Sequence, residues 1–592
     1  MKLLNAIKTV RLFQKKEKLI PMITRWGKQL DPQHVLEEYP RPQLKRKDYM
    51  NLNGYWQYAF TKNHDFPESF DGQILVPFSP ECQLSRVLRQ LQPLEYLWYE
   101  RELDLVIQSH QRCLLHFGAV DQIASVYLNH KLIEYHVGGY LPFTIDITDY
   151  LCYEHNLLTV CVEDFSDTSY RSKGKQRLNR GGMYYTAQSG IWQTVWLEWV
   201  PETYIKDVKI ISDYDNDQIK VSICWNKNYD STLSFIIDGQ PITDIQQQDG
   251  YHCIKIKNKK SWTPDNPYLY TLKIQSNEDE VECYFAMRIY TIENDNRNIP
   301  RICLNHQSIF MHGVLDQGYW PDGLYTAPSD EALIYDIKSM KSLGFNMIRK
   351  HIKIEPSRWY YHCDRLGMIV WQDMVNGGSQ YHTWFITYMP SLISWTKKHI
   401  TDNHSKLFSR ESINGQWEWT LECKETVEHL SCFPCISTWV LFNEGWGQFQ
   451  TKKLTNYIHK LDDTRMIDSA SGWFDQQCGD FRSEHHYFDE PKMIPDTRAF
   501  VLSEYGGFAC PIQQHMSVTK VYGYGIYKNV NDFSKAYYHL LDKTINPLIQ
   551  QGLCAAIYTQ LSDIEEEVNG LLTYDREICK LIEKDNLIKE NS

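Results

Sequence analysis

From about residue 300 onward the sequence alternates between helical and strand periodicity, and this alternation restricts the fold more than any other feature. Ser329 is placed to cap a helix whose first turn carries Asp330 and Glu331, acidic side chains favoured at the positive helix end. Leu333, Ile337 and Met340 recur at helical spacing, and Gly344 is placed to stop the helix. The apolar run Phe345–Ile348 then reads as a strand. A second helical stretch after Pro356 stops near Gly367, before another strand at Met368–Trp371. Ile436–Phe442 as strand, Phe449–Leu461 as helix and Ala499–Leu502 as strand continue the series. Such repetition over roughly 300 residues predicts a (β/α)8 barrel, whose reactive side chains stand at the C-terminal ends of the strands.

The N-terminal part reads differently. Leu114–Phe117, Ser125–Leu128 and Leu157–Val162 are short strand-like runs separated by polar turns and by Gly138-Gly139, the spacing of a β-sandwich. A second β segment, from about Tyr204 to Tyr290, alternates at Ile219–Ile223 and Tyr270–Ile274 around a turn-rich insert, Trp262-Thr263-Pro264-Asp265-Asn266-Pro267. A chain of 592 residues is long enough for several cores, and a multidomain β plus α/β protein is expected.

Two of the predicted barrel strands end in the same chemistry. Val440-Leu441-Phe442-Asn443-Glu444-Gly445-Trp446-Gly447 runs from an apolar strand into an amide and a carboxylate, and Val501-Leu502-Ser503-Glu504-Tyr505-Gly506-Gly507 repeats the ending. An unpaired carboxylate at a buried strand end is costly, so two at one barrel mouth call for a functional reason. Hydrolysis of a glycosidic bond with retention uses such a pair about 5–5.5 Å apart, one nucleophile and one acid/base. The 18 Trp and 39 Tyr suit a carbohydrate substrate, since a ring covers the apolar face of a sugar, although they also fill β-rich cores. A net charge of −12 argues against nucleic acid. The basic start, Met1–Leu19, lacks a continuous apolar stretch, so neither a signal peptide nor a membrane span is expected. The 16 cysteines show no disulfide spacing, which fits a cytoplasmic protein. The partners left open are a carbohydrate and a second copy of the chain.

At this level of detail the sequence resembles glycoside hydrolase family 2, the family of β-galactosidases, β-glucuronidases and β-mannosidases. The likeness rests on an ordered set of motifs: Tyr39-Pro40-Arg41-Pro42-Gln43, Leu52-Asn53-Gly54-Tyr55-Trp56, Val76-Pro77-Phe78-Ser79-Pro80-Glu81, Trp98-Tyr99-Glu100-Arg101 and Gly190-Ile191-Trp192-Gln193-Thr194-Val195-Trp196-Leu197-Glu198. The resemblance implies an N-terminal sugar-binding-like jelly-roll β-sandwich over 1–202, an immunoglobulin-like β-sandwich over 203–292 and a catalytic TIM barrel over 293–592. It also implies Glu444 as acid/base, Asn443 as the partner of the sugar 2-hydroxyl and Glu504 as nucleophile. By the same resemblance Arg349 steadies the nucleophile, Tyr487 bonds it, and His351 and Asp373 contact the sugar. Trp446 is either a sugar platform or a packing residue. No cofactor or metal is implied for a chain of this length.

Other motifs carry less. Cys432-Phe433-Pro434-Cys435 has redox or zinc spacing, but it leads into a strand and lacks further ligands, so a structural role is expected. Asn403-His404-Ser405 is a glycosylation sequon without a secretory context, and Glu565-Glu566-Glu567 is either a solvated face or part of the barrel rim. No Gly-rich phosphate loop or nucleophile elbow occurs. The Asn-x-Lys pair by which β-glucuronidases of the resembled family hold the sugar carboxylate is missing between residues 300 and 592, leaving Lys353 as a substitute. β-Galactosidase specificity is therefore expected first, then β-mannosidase, β-glucuronidase or an arabinosidase-type specificity. A carbohydrate-binding protein without catalysis is the alternative from another class.

Overall fold

The first sandwich is built from strands whose inward residues alternate with solvent-facing ones. In the computed structural model, which describes residues 17–584 apart from 106–110, 230–231, 383, 390–399 and 488–490, together with Leu587, two antiparallel sheets make up this unit. One has six strands, ordered Gly72–Val76, Gly54–Thr61, Tyr96–Leu103, Asn156–Glu163, Ile123–Leu128 and Lys131–Val137; the other has four, Tyr49–Asn51, Val195–Pro201, Gln111–Phe117 and Phe143–Asp146. Tyr99, Leu115, Phe117, Val126 and Val160 close the core between them. The basic start through Lys16 lies outside the described residues. No described helix is long and apolar enough to cross a membrane.

Two four-stranded sheets follow, from Ile205–Asp213 to Glu280–Phe285. Burial along Tyr270–Gln275 has the period of two that the sequence signalled, with Tyr270, Leu272 and Ile274 inside. The expected boundary at 292 falls inside a strand. Tyr290–Asn294 pairs with Pro300–Leu304, and Ile302 and Leu304 belong to the core shared with the barrel.

The barrel strands are β1 (Met311–Asp316), β2 (Met347–Lys350), β3 (Ile369–Asp373), β4 (Ile436–Val440), β5 (Met466–Asp468), β6 (Phe481–His486), β7 (Ala499–Gly506) and β8 (Leu553–Thr559). They pair in parallel in the order β5-β4-β3-β2-β1-β8-β7-β6, so hydrogen bonding is interrupted between β5 and β6. Helices α1 (Asp330–Ser342), α2 (Ser357–Leu366), α3 (Ile413–Leu430) and α4 (Thr451–Leu461) follow β1 to β4, and α5 (Val530–Leu540) and α6 (Asn546–Gln551) follow β7. The Ser329 hydroxyl caps α1 by accepting from the Ala332 amide at 3.2 Å, as the sequence predicts. β4 is shorter than its apolar run and stops at Val440; beyond it the Leu441 amide donates to the Asp468 carbonyl at the end of β5, and the Phe442 carbonyl accepts from the Ser471 amide.

The second sandwich is locked to the barrel where α2 ends. Gly367 terminates α2 at φ +74°, and a Cβ there would lie 2.2 Å from the Pro264 carbonyl oxygen. The Trp262 indole donates to the Asp364 carbonyl at 2.8 Å beside it. Gly367→Ala is expected to destabilise the protein by about 2 kcal/mol, through left-handed strain together with the clash. A urea or thermal melt that leaves the midpoint unchanged would contradict this reading of the junction.

The first sandwich reaches over the barrel mouth through its segment between Ser172 and Thr186. Ser172 bridges to Gly377 beyond β3, the Lys173 ammonium donates to the Gly378 carbonyl at 2.6 Å, and the Gly182 and Thr186 amides donate to Glu566 and Glu565 at 2.9 and 3.0 Å. The acidic run is thus part of the rim, with Glu565 and Glu567 buried.

Candidate active site

Parallel strands deliver their last residues to one end of the barrel, and the strand-end residues singled out above meet there. Arg349 comes from β2, Asp373 from β3 and Glu504 from β7, while Asn443 and Glu444 lie just beyond β4. That last segment stays braced after its strand ends, since the Ser471 amide donates to the Phe442 carbonyl at 2.8 Å and the Glu444 amide to the Ser471 carbonyl at 2.9 Å. Glu444 itself holds φ +50°, strain of the kind that persists where surrounding structure fixes it. Gly445 follows at φ +78°, where a Cβ would approach the Phe474 ring to 2.5 Å, so glycine is required.

Arg349 is the centre of the site. Its Nε and Nη2 donate to the two Asp373 oxygens at 2.9 Å each, and Nη2 also donates to Asn443 Oδ1 at 2.9 Å. Its Nη1 donates to the Ser503 carbonyl at 3.1 Å and to Glu504 Oε1 at 3.3 Å. Both Asp373 oxygens are therefore engaged from below, and Asp373 orients Arg349 instead of presenting an open carboxylate to the pocket. The Tyr487 hydroxyl donates to Glu504 Oε2 and lies 3.0 Å from Thr559 Oγ1. Burial on its own would raise the Glu504 pKa. His485, Arg349, the Tyr487 hydroxyl and Lys175 together outweigh burial and hold the carboxyl below its ordinary value.

Glu444 has a different setting. Its side chain is 14% exposed against 6% for Glu504, and its Oε1 lies 2.9 Å from His485 Nδ1. Ser471 Oγ donates to Ser503 Oγ at 2.8 Å and lies 2.9 Å from His485 Nε2. His485 Nδ1 thus stands between the two carboxylates, 2.9 Å from Glu444 Oε1 and 3.6 Å from Glu504 Oε2. One ligand-capable atom each from Glu444, His485 and Glu504 lies within 4.8 Å of the others, which sets the two carboxylates at that separation or less. The same spacing suits a cation, a possibility the sequence did not signal.

The remaining predicted residues sort by burial. His351 is buried, with Nδ1 2.8 Å from Gln317 Oε1 and Nε2 3.6 Å from Glu504 Oε1; burial first, then the Arg349 charge, pushes its pKa well down, so the ring is neutral. Trp446 is 1% exposed and packs against Tyr184 and Tyr381 at 5.8 and 5.9 Å; it is a packing residue, not a sugar platform. Trp371, at the end of the predicted strand, stacks on Phe481 in the barrel core. Lys353 donates to the Gly318 and Tyr325 carbonyls at 2.7 and 2.8 Å and to Glu355 at 2.8 Å, which removes it as a holder of a sugar carboxylate. Cys435 is buried and Cys432 partly so, both as free thiols. His485, adjacent to residues that the motif reading covered, was given no role there; the inward alternation Phe481, Ser483, His485 along β6 is the signal that identifies it.

Known proteins share this plan. The family models for the glycosyl hydrolases family 2 sugar binding domain, for glycosyl hydrolases family 2 and for the glycosyl hydrolases family 2 TIM barrel domain match residues 88–201, 203–288 and 297–568. A β-galactosidase of Thermoanaerobacter pseudethanolicus is 23% identical over 80% of this chain and 63% of its own length. A putative β-glucuronidase of Formosa agariphila is 25% identical over 69% of this chain and 50% of its own length. The chain thus spans less than two thirds of either relative. The β-glucuronidase structure of Ruminococcus gnavus superposes with a TM-score of 0.73 at 16% identity, covering 94% of this chain and 99% of that one, a likeness of fold. Three consecutive models of one family, matched in order across most of its length, establish that the chain belongs to glycoside hydrolase family 2.

Proposed function

We propose that the protein is a retaining exo-β-glycosidase, β-galactosidase-like in sugar preference, with Glu504 as nucleophile and Glu444 as acid/base. The observation that carries this reading is the pair of carboxylates within 4.8 Å at one barrel end, one held by Arg349 and Tyr487 and the other by a histidine. That separation suits direct attack on the anomeric carbon and leaves no room for the water an inverting pair must hold between its carboxylates.

In the first step Glu504 attacks the anomeric carbon while Glu444 protonates the leaving oxygen. Arg349 keeps the nucleophile ionised, and Asn443, its Oδ1 pinned by Arg349, is oriented toward the sugar 2-hydroxyl. Once Glu504 is esterified its negative charge is gone, and Glu444, now a carboxylate, takes a proton from the incoming water. Water attack then releases the sugar with its anomeric configuration retained. The 16 free thiols support a reducing, cytoplasmic setting.

A panel of nitrophenyl β-glycosides tests the reading, with wild type beside Glu504→Gln and Glu444→Gln. Turnover by wild type and retained product in the proton NMR spectrum are expected. Equal sugar binding by all three proteins without turnover would favour a carbohydrate-binding protein instead. The pH profile adds a signed expectation. Because Glu504 is held below the ordinary 4.5, the nucleophile protonates only at lower pH. The acid limb of kcat/KM is therefore expected below that value; a limb well above it would contradict the Arg349 and Tyr487 assignment.

A further inference from the structure

The segment that the first sandwich lays over the barrel mouth carries a buried charged pair that the proposed mechanism does not use. A Cβ on Gly174 would lie 3.1 Å from the Ile352 carbonyl, which sets the neighbouring Lys175 beside the loop after β2. Among the described residues the Lys175 ammonium reaches only Tyr185 Oη, at 3.5 Å, and Glu567 Oε2, at 3.7 Å. Tyr185 in turn donates to Glu567. An ammonium offers three donors, and two long contacts leave it undersatisfied in a buried setting. From the other direction, Gln560 follows β8 and accepts from Gln317 at 3.1 Å, and Gln317 fixes the His351 ring. His351 Nε2 has no hydrogen-bond partner among the described residues and stands 3.6 Å from Glu504. Lys175 is near enough to contribute, behind burial and closer charges, to the lowered pKa values of both Glu504 and His351.

We propose that Lys175 and Glu567, together with His351 Nε2, line the sugar pocket, read the hydroxyls of a neutral pyranoside, and select against uronides. The inference rests on the glycosidase reading and names its substrate class. A hydroxyl accepts from the ammonium and donates to the carboxylate at once, so the pair matches a neutral sugar edge. A uronate carboxylate only accepts, and it would meet Glu567 as well as Glu504. The Lys175 charge is already balanced by Glu567, and the other described cations around the site are engaged. Arg349 is occupied by Asp373, Asn443, Glu504 and the Ser503 carbonyl, and Lys353 by Glu355 and two carbonyls. A desolvated anion without a counter-charge is rejected strongly.

The test uses the full chain with nitrophenyl β-galactoside, β-glucoside, β-glucuronide and β-galacturonide, and with monodeoxy galactosides. Wild type is expected to favour a neutral glycoside over both uronides by at least about 100-fold in kcat/KM. Lys175→Met should lower kcat/KM for the neutral substrate by about 10- to 100-fold, the range for charge-assisted hydrogen bonds. It should also abolish the penalty that wild type shows for deoxygenation at one sugar position, which a merely structural lysine would leave in place. Glu567→Gln, which keeps an acceptor for Tyr185, should raise the ratio of uronide to neutral activity at least about tenfold. A thermal melt of each variant separates misfolding from altered recognition. A wild type that prefers uronides and a Lys175→Met that loses only those would overturn the proposal while leaving the glycosidase reading intact. An unchanged deoxy penalty in a folded Lys175→Met would overturn it too. Absence of turnover on every glycoside would bring down the hydrolase reading itself, and the proposal with it.

Discussion

Glu504→Ala is expected to lose about 10^5-fold or more in kcat while still folding and binding sugar. The reasoning starts from the chemistry, since removing a nucleophile eliminates the covalent route and the residual positioning groups cannot replace it. The Glu504 side chain is buried against Arg349, Tyr487 and His485, so alanine leaves a small polar hole at the site of attack. Azide can enter such a hole. On Glu504→Ala it should react with an activated glycoside from the vacated face and give the glycosyl azide of inverted configuration. On Glu444→Ala the intermediate still forms, provided the leaving group needs no proton, and azide should give the azide of retained configuration. Opposite stereochemistry from the two variants is the outcome that assigns the roles. If both gave the same azide anomer, the assignment would be wrong.

The second large effect concerns Arg349. Arg349→Met removes the only described hydrogen-bond donor to the two Asp373 oxygens and one of the donors to Glu504, leaving the buried Asp373 carboxylate uncompensated. Breaking a buried ion pair from one side costs about 3–5 kcal/mol. The melting temperature should therefore fall clearly. Surviving activity should have its acid limb moved to higher pH, because Glu504 loses the charge that favours its ionised form. Arg349→Lys keeps a positive charge but not the planar fork that meets Asp373 with two parallel bonds. It should recover part of the stability and little of the activity. An Arg349→Met protein with an unchanged acid limb would show that Arg349 does not tune the nucleophile.

The parts of the fold legible in the sequence were those set by local rules. Ser329 as a cap, Gly344 and Gly367 as stops, and the alternation along Tyr270–Gln275 all depend on neighbours within a few positions. Four barrel strands escaped: β1 and β8, although both are largely apolar, and β5 and β6, which are short or polar. β5 is three residues long, and β6 (Phe-Arg-Ser-Glu-His-His) has polar residues facing inward because it serves the site. A barrel strand that carries chemistry hides the apolar period by which strands are recognised. The same applies to single residues. Glu444 and Glu504 were visible because each ends an apolar run beside Asn or Gly. Trp446 shares that neighbourhood, yet it packs against rings from distant loops that no sequence window brings together. His485, Lys175 and Glu567 depend on contacts between β6, β7, the β8 loop and the first sandwich. Only the assembled chain reveals them.

Mechanism-based trapping tests the central claim most directly. A 2-deoxy-2-fluoro β-glycoside with a good leaving group slows both displacements, and the better leaving group lets the first outrun the second. Incubation with this protein should stop turnover with a mass increase of one fluoroglycosyl group, and peptide mapping should find that mass on Glu504. A label on any other residue, or inactivation without a covalent adduct, would contradict the double displacement at Glu504 and Glu444.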